Sequence, residues 1–353
     1  MRRHLPFAAL WSMQIEVPVS LLLRDGDLAW SCGQCPLDGS GQVIAPGDLA
    51  AQSEAVADYI AEVLARGDLS AEDIGLLLAY YVDGGPGSEA DMVAILQRRL
   101  GGRALILPVP VPHFYYAGMM IEVDVFASAA AGTRRRHQAG SLEIEMLDGG
   151  ALTWVKLSLS TPCPADRQLG ALGELGLEAS ALLRDHWFLP ADDATLLESA
   201  AAAGLVTDPG AAVFMPSGDA KRLLGELTFA RGKTATRHAE AGAVTLHLRR
   251  HGEFLWALAR DRDPRADLVG QTERIMPALK DALALEGMSF ADVVKLTTHY
   301  VGDDSPEALH DNMRVRNAYY ATPGPTSTGL PVAGLGDPQS LITVNLLARR
   351  AGP

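Results

Sequence analysis

Leu69-Ser70-Ala71-Glu72-Asp73-Ile74-Gly75-Leu76-Leu77-Leu78-Ala79-Tyr80-Tyr81-Val82 and Ser289-Phe290-Ala291-Asp292-Val293-Val294-Lys295-Leu296-Thr297-Thr298-His299-Tyr300-Val301 are two versions of one phrase. Asp73 pairs with Asp292, Tyr81 with Tyr300 and Val82 with Val301, all at a single offset. Each version reads as a short linker, an acidic residue and then a buried apolar strand. Similarity of this kind marks a repeat architecture and takes precedence over any other fold assignment.

The flanks repeat as well. Before the first strand, Leu49 to Leu64 carries Val56, Ile60, Val63 and Leu64 on one helical face, with Ser53 and Glu54 on the other. Before the second, Ile275, Leu279 and Leu283 recur at helical spacing. Gly67 and Gly287 end these helices, where a left-handed glycine cap belongs. A further helix follows each strand, over Glu89 to Leu100 and Glu307 to Tyr320, and each unit closes on an extended run, Met119 to Phe126 and Leu341 to Leu347. Met120 to Phe126 alternates as a sheet with one covered face should. Each unit is therefore β-β-α-β-α-β.

Residues 140–231 read as a worn third copy. Leu142 to Met146 and Leu152 to Leu159 form a hairpin around Asp148-Gly149-Gly150. Leu169 to Leu183 and Asp192 to Ala203 are helical on either side of a short strand at His186 to Leu189, and Leu224 to Ala230 falls where the closing strand belongs. The competing reading is two units joined by an irregular linker. With three copies, the units occupy 1–130, 140–231 and 240–353.

The bulk properties bound the function. A chain of 353 residues suits two or three compact units, and 48% hydrophobic residues can build their cores. A net charge of −13 argues against nucleic acid as a partner, since phosphate binding needs a basic stripe. The one basic run, Arg134-Arg135-Arg136-His137, lies in a Gly/Ala-rich link and reads as a solvated connector. Three cysteines make no disulfide framework, and reduced cytoplasmic thiols are expected. Cys32 and Cys35 form a C-x-x-C without a second pair, so no metal site is expected, and a redox pair is the alternative reading. The start, Met1-Arg2-Arg3-His4 and then Leu5 to Leu10, imitates a signal peptide. Its apolar run is short, contains Pro6 and passes directly into strand-like sequence, so export is not expected. No stretch approaches a membrane span.

The first third resembles the YjgF/Rid (RidA-like) superfamily. The resemblance rests on Ser31-Cys32-Gly33-Gln34-Cys35-Pro36-Leu37-Asp38, on the helix-strand-helix that follows, and on Ile121-Glu122-Val123-Asp124. It covers about residues 15–128, and the last unit matches over about 242–350. It implies a mixed α/β (α+β) fold in which fused Rid-like repeats form a pseudo-trimer of sheets with helices on one face. It also implies a site where repeats meet, so the chain is expected to work as a monomeric pseudo-trimer or a homodimer. The family's closing-strand glutamate corresponds to Glu122 in the first unit and Glu226 in the second, with Thr343 in the last. The family's carboxylate-gripping arginine is absent: Leu105 to Val111 and Pro325 to Pro331 stand in its place. The chain is also similar to chorismatases, through Thr326-Ser327-Thr328-Gly329-Leu330 and the Glu122 strand in permuted order.

The candidate site follows from these residues. A carboxylate inside an apolar strand is costly to bury without partners, so Glu122 marks an acid/base site or points to solvent from a strand end. Asp124 faces the same side and either shares a proton with it or is solvated. Ser327, Thr328 and Gly329 form a Pro/Gly-bounded loop, read as an anion holder or an ordinary turn. Arg314 and Arg316, on one helix with Asn312, Asn317 and Tyr320, are the available carboxylate clamps, with surface solvation the alternative. Tyr115, Tyr116 and His113 either meet a cyclic substrate or pack a rim, and Cys35 lines the pocket or fills it. No nucleotide-binding glycine motif or catalytic triad is visible, and no cofactor is implied. The expectation is an enzyme acting on a small carboxylate-bearing molecule by water-assisted acid/base chemistry, of the imine-hydrolysing or the chorismate-hydrolysing type. A binding protein without turnover is the rival.

Overall fold

The computed structural model describes residues 2–350 except 8, 9, 14, 85, 86, 191, 192, 217–221 and 303. The first unit contains β1 (Arg2–Pro6), β2 (Ser20–Asp25), β3 (Leu28–Ser31), α1 (Leu49–Arg66), β4 (Ile74–Tyr81), α2 (Glu89–Leu100), β5 (Leu105–Pro110) and β6 (Ile121–Ser128). The middle unit contains β7 (Arg134–Ala139), β8 (Leu142–Asp148), β9 (Leu152–Leu159), α3 (Ala165–Glu174), β10 (Leu182–Pro190), α4 (Ala194–Ala202), β11 (Val213–Met215) and β12 (Leu223–Ala230). The last contains β13 (Ala235–Ala241), β14 (Val244–His251), β15 (Phe254–Asp261), α5 (Leu268–Leu285), β16 (Val293–Tyr300), α6 (Pro306–Asn317), β17 (Thr326–Pro331), β18 (Gly334–Leu335) and β19 (Ile342–Arg349).

The three sheets have one strand order: β1-β2-β3-β6-β4-β5, β7-β8-β9-β12-β10-β11 and β13-β14-β15-β19-β16-β17. The middle stretch is therefore a full sheet and not a linker. β18 leaves the last unit to pair with β11 and adds a seventh strand to the middle sheet. Each unit has two strands beyond the six elements expected. One is an outer edge strand, which in the middle unit is the Arg134–His137 run. That run is thus a strand and not a connector, and Arg134 pairs with Glu145 on β8. The other is the short strand β5, β11 or β17, which runs parallel to β4, β10 or β16.

Local chemistry explains the repeated phrase. Ser70 and Asp73 form a capping box at the turn into β4, and Ser289 and Asp292 form the same box before β16. The pairing of Asp73 with Asp292 thus preserves a turn. Asp48 caps α1 and Asp267 caps α5 through backbone amides of the first turn. Ser53, expected on the polar face of α1, is buried and returns its hydroxyl to the Leu49 carbonyl at 2.6 Å. Gln52 beside it pins the run before β6, donating to Gly118 O at 2.7 Å and accepting from Met120 N at 2.7 Å. Gln271 does the same for Gln339 and Leu341 before β19, both at 2.8 Å. Gly287 takes the left-handed conformation (φ 67°), but in the first unit Asp68 does so (φ 55°) and Gly67 does not.

Helices cover the outer face of each sheet, making three separate cores, and the inner faces converge on a fourth core that all three units share. Trp30, Trp154 and Trp256, the third residues of β3, β9 and β15, are fully buried in that shared core. β6 is buried along its whole length, so its alternation does not reflect one covered and one wet face. Its polar residues, Glu122 and Asp124, point instead into the junction between units.

Candidate active site

A cavity lies on the seam between the first and last units, with a volume of about 640 Å³ when the open solvent at its mouth is included. The first unit contributes Trp11, Cys35, Tyr115, Tyr116 and Glu122, and the last contributes Met313, Arg316, Ser327 and Gly329. Its walls are mainly apolar and aromatic, and the two ionisable groups with opposite charge tendencies, Glu122 and Arg316, come from different units. The sequence is short of a cavity until these units meet, because neither sheet alone carries both groups.

Glu122 sits in β6 opposite Tyr80 of β4. The Ser31–Asp38 motif lies alongside, held by Gln34 N donating to Val123 O at 2.8 Å and Val123 N returning to Gln34 O at 3.1 Å. Glu122 can hold this position only because residue 33 is a glycine: a Cβ there would lie 1.7 Å from Glu122 Oε1 and 2.6 Å from its Cγ. Burial and the nearby Asp124 carboxylate raise the Glu122 carboxyl to about 8, with Lys295 and Cys35 partly opposing. At neutral pH the cavity therefore presents a protonated carboxyl. Burial also pushes the Cys35 thiol well up, so it is a neutral wall group.

Arg316 is 2% exposed and has no carboxylate partner among the described residues. Its Nε donates to Asn312 Oδ1 at 2.8 Å, and Asn312 Nδ2 donates to Thr272 Oγ1 of α5 at 2.6 Å. This chain of bonds orients the guanidinium from behind. Burial holds its proton affinity below the ordinary value, yet a guanidinium remains cationic at any ordinary pH. Tyr115 stacks on Tyr300 across the seam, with ring centroids 5.6 Å apart. Arg314, two residues away on the same helix, faces solvent and pairs with Asp311, so it does not join the cavity.

Behind the cavity, three expectations change. Asp124 does not line it; its Oδ1 accepts from Lys295 Nζ at 2.7 Å, and both side chains are fully buried. Thr328 does not line it either. Its hydroxyl accepts from Gly33 N at 2.9 Å and from Lys295 Nζ at 2.7 Å. Residues 326–331 form strand β17, parallel to β16, and not a loop that wraps an anion. Ser327 and Gly329, the alternate residues of that strand, face the cavity. Reasoning from sequence missed Lys295, whose signal is a lysine at the centre of an apolar strand. It also missed Trp11, which lies in a segment without periodicity.

The other seams are built differently. Glu226, the counterpart of Glu122 in the middle unit, is held by Arg184 at 3.1 Å and lies 3.4 Å from His186. At the seam between the middle and last units, Arg260 bridges Asp208 at 2.6 Å and also pairs with Asp337. Among the described residues no group of three or more His, Cys, Asp or Glu is placed to hold a metal ion, and no helix is long and apolar enough to cross a membrane.

Three fused repeats of one strand order, closed around a shared inner core as a pseudo-trimer, are the fold of this chain. Similar solved structures include a chorismatase, 13% identical, which covers 78% of this chain and 93% of its own at a TM-score of 0.49. Yeast Mmf1 is 14% identical over 36% of this chain and 98% of its own, at a TM-score of 0.32. The Rid-family protein YyfB of Yersinia pestis is 23% identical over 36% of this chain and 98% of its own, at 0.26. No protein-family model matches the sequence, and no curated protein matches it significantly.

Proposed function

We propose that the chain is a hydrolytic enzyme for a small unsaturated carboxylate, working without a cofactor at the seam between its first and last units. The observation that carries this reading is the pairing, in one apolar cavity, of a neutral carboxyl with a buried guanidinium that has no acidic partner among the described residues. The guanidinium fork suits a substrate carboxylate, and desolvation strengthens that contact. Glu122 supplies a proton to the imine nitrogen, or to the methylene carbon of an enol ether, which makes the carbon that bears the carboxylate electrophilic. Water adds to that carbon and gives one proton to Glu122, which regenerates the carboxyl; the other proton passes to the leaving nitrogen or oxygen as its bond to that carbon breaks, releasing ammonia or an alcohol and a 2-oxo acid.

Imine hydrolysis and chorismate-type hydrolysis both fit this scheme. The aromatic wall of Trp11, Tyr115 and Tyr116 favours the ring-bearing substrate as the second reading. The test is incubation of purified protein with chorismate and, separately, with freshly generated 2-aminoacrylate, followed by mass spectrometry of products. Glu122→Gln is expected to lower turnover of the accepted substrate by ~10²-fold or more. Arg316→Met is expected to weaken binding by roughly 10- to 100-fold. Full turnover by the Gln variant would remove the mechanism. A ligand that raises Tm and is recovered unchanged would establish a binding protein in its place.

A further inference from the structure

The Lys295 ammonium touches three segments at once, and each reaches the cavity within one or two residues. Nζ donates to Ser31 O at 2.9 Å, to Asp124 Oδ1 at 2.7 Å and to Thr328 Oγ1 at 2.7 Å. Ser31 leads into Cys32 and Gly33, Asp124 follows Glu122 on the same face of β6, and Thr328 stands between Ser327 and Gly329. All three donors of the ammonium are thus engaged, in a side chain 1% exposed. We propose that Lys295 is a positioning residue that, by binding Asp124, decides which of the two carboxyl groups on this face of β6 keeps the proton and so leaves Glu122 as the acid of the cavity. The inference rests on the reading of Glu122 given above.

Two carboxyl groups two residues apart on one buried strand face do not both ionise without a counter-charge. One cation in contact with one of them settles the assignment. Asp124 holds the ammonium, whereas Glu122 has no cation in contact. The groups around Glu122 are Asp124 on its own strand, Lys295 and Tyr300 from β16, Tyr80 from β4, Cys32 and Cys35 after β3, and Arg316 from α6. Only Lys295 and Arg316 among these are cations. A purely mechanical peg would tie the three segments together but leave the titration of Glu122 where it was.

The test uses the full chain and needs no substrate. The infrared stretch of the protonated Glu122 carboxyl is followed against pH, as a difference between each protein and its own Glu122→Gln counterpart. In Asp124→Asn the Lys295 charge stands unopposed, and the Glu122 midpoint is expected to fall by about one pH unit or more. In the D124N/K295M double variant both charges are gone, and the midpoint is expected to return toward the wild-type value. Lys295→Met, compared directly with wild type, is expected to show a second protonated carboxyl at neutral pH, that of Asp124. A midpoint unmoved in D124N, or unrestored in the double variant, overturns the proposal. Should D124N fail to fold, K295M decides: a second carboxyl proton supports the proposal and its absence overturns it. If the titrations behave as stated while E122Q turns over normally, only the proposed function is lost.

Discussion

At the scale of the residue, Glu122 acquires its proton affinity from its surroundings. Its carboxyl rises from 4.5 to about 8 because burial and Asp124 both disfavour the anion. Between those two values the folded chain holds a proton that the unfolded chain has released. The stability this group contributes is thus complete below about 4.5, declines as pH rises, and is gone above about 8. Wild type is therefore expected to lose stability relative to Glu122→Gln between pH 5 and pH 8, by at most ~1.4 kcal/mol per pH unit. Denaturant unfolding at several pH values measures this; parallel curves would mean that Glu122 is ionised throughout. Glu122 was legible in the sequence because a carboxylate inside an apolar run is conspicuous. Arg316 was legible by type but not separable from Arg314, because the phase of α6 relative to the seam is set by packing between units. Lys295 stood in the quoted phrase, yet its partner lies 171 residues away in another repeat. No local pattern reports such a contact.

At the scale of the element, two of the strands that sequence reading overlooked carry prolines. β5 reads Leu-Ile-Leu-Pro-Val-Pro, and β17 ends on Pro331. Proline removes a ladder donor, which argues against a central strand but is tolerated at a sheet edge, where both of these lie. The middle unit was read from its hairpin and helices, while the tryptophan shared by Leu28-Ala29-Trp30, Leu152-Thr153-Trp154 and Phe254-Leu255-Trp256 was the stronger signal. Only the assembled sheets show why it recurs: each indole fills the shared inner core. Trp154 packs so closely on β4 that a Cβ at Gly75 would lie 2.1 Å from its ring. Since that ring is fully buried and cannot swing away, Gly75→Ala is expected to destabilise the chain by roughly 1–3 kcal/mol. A shift in the denaturation midpoint reads this out, and an unchanged midpoint would show that the sheets are free to separate there.

At the scale of the molecule, the shared core decides how the chain unfolds. Each outer core belongs to one unit, but the inner core is made of side chains from all three sheets, so no unit can open without exposing the others. Unfolding is expected to be a single transition. Three variants that each retain one of Trp30, Trp154 and Trp256, with the other four of the five tryptophans replaced by phenylalanine, place a fluorescent reporter in each unit. Each is expected to show a fluorescence midpoint coincident with its own circular dichroism midpoint. A unit whose fluorescence changes apart from the far-ultraviolet signal would be an independent folding body.

The Arg184–Glu226 pair carries a consequence for heredity. In a ring of identical subunits, one codon writes every seam, and an arginine brought against the seam glutamate would occupy all three places together. In a single fused chain the three seams have separate codons. Glu226 can be committed to its arginine within the middle unit while Glu122 stays available, and a mutation in one seam is not copied into its siblings. The gene can therefore accumulate change around two thirds of the ring while the remaining third keeps its chemistry.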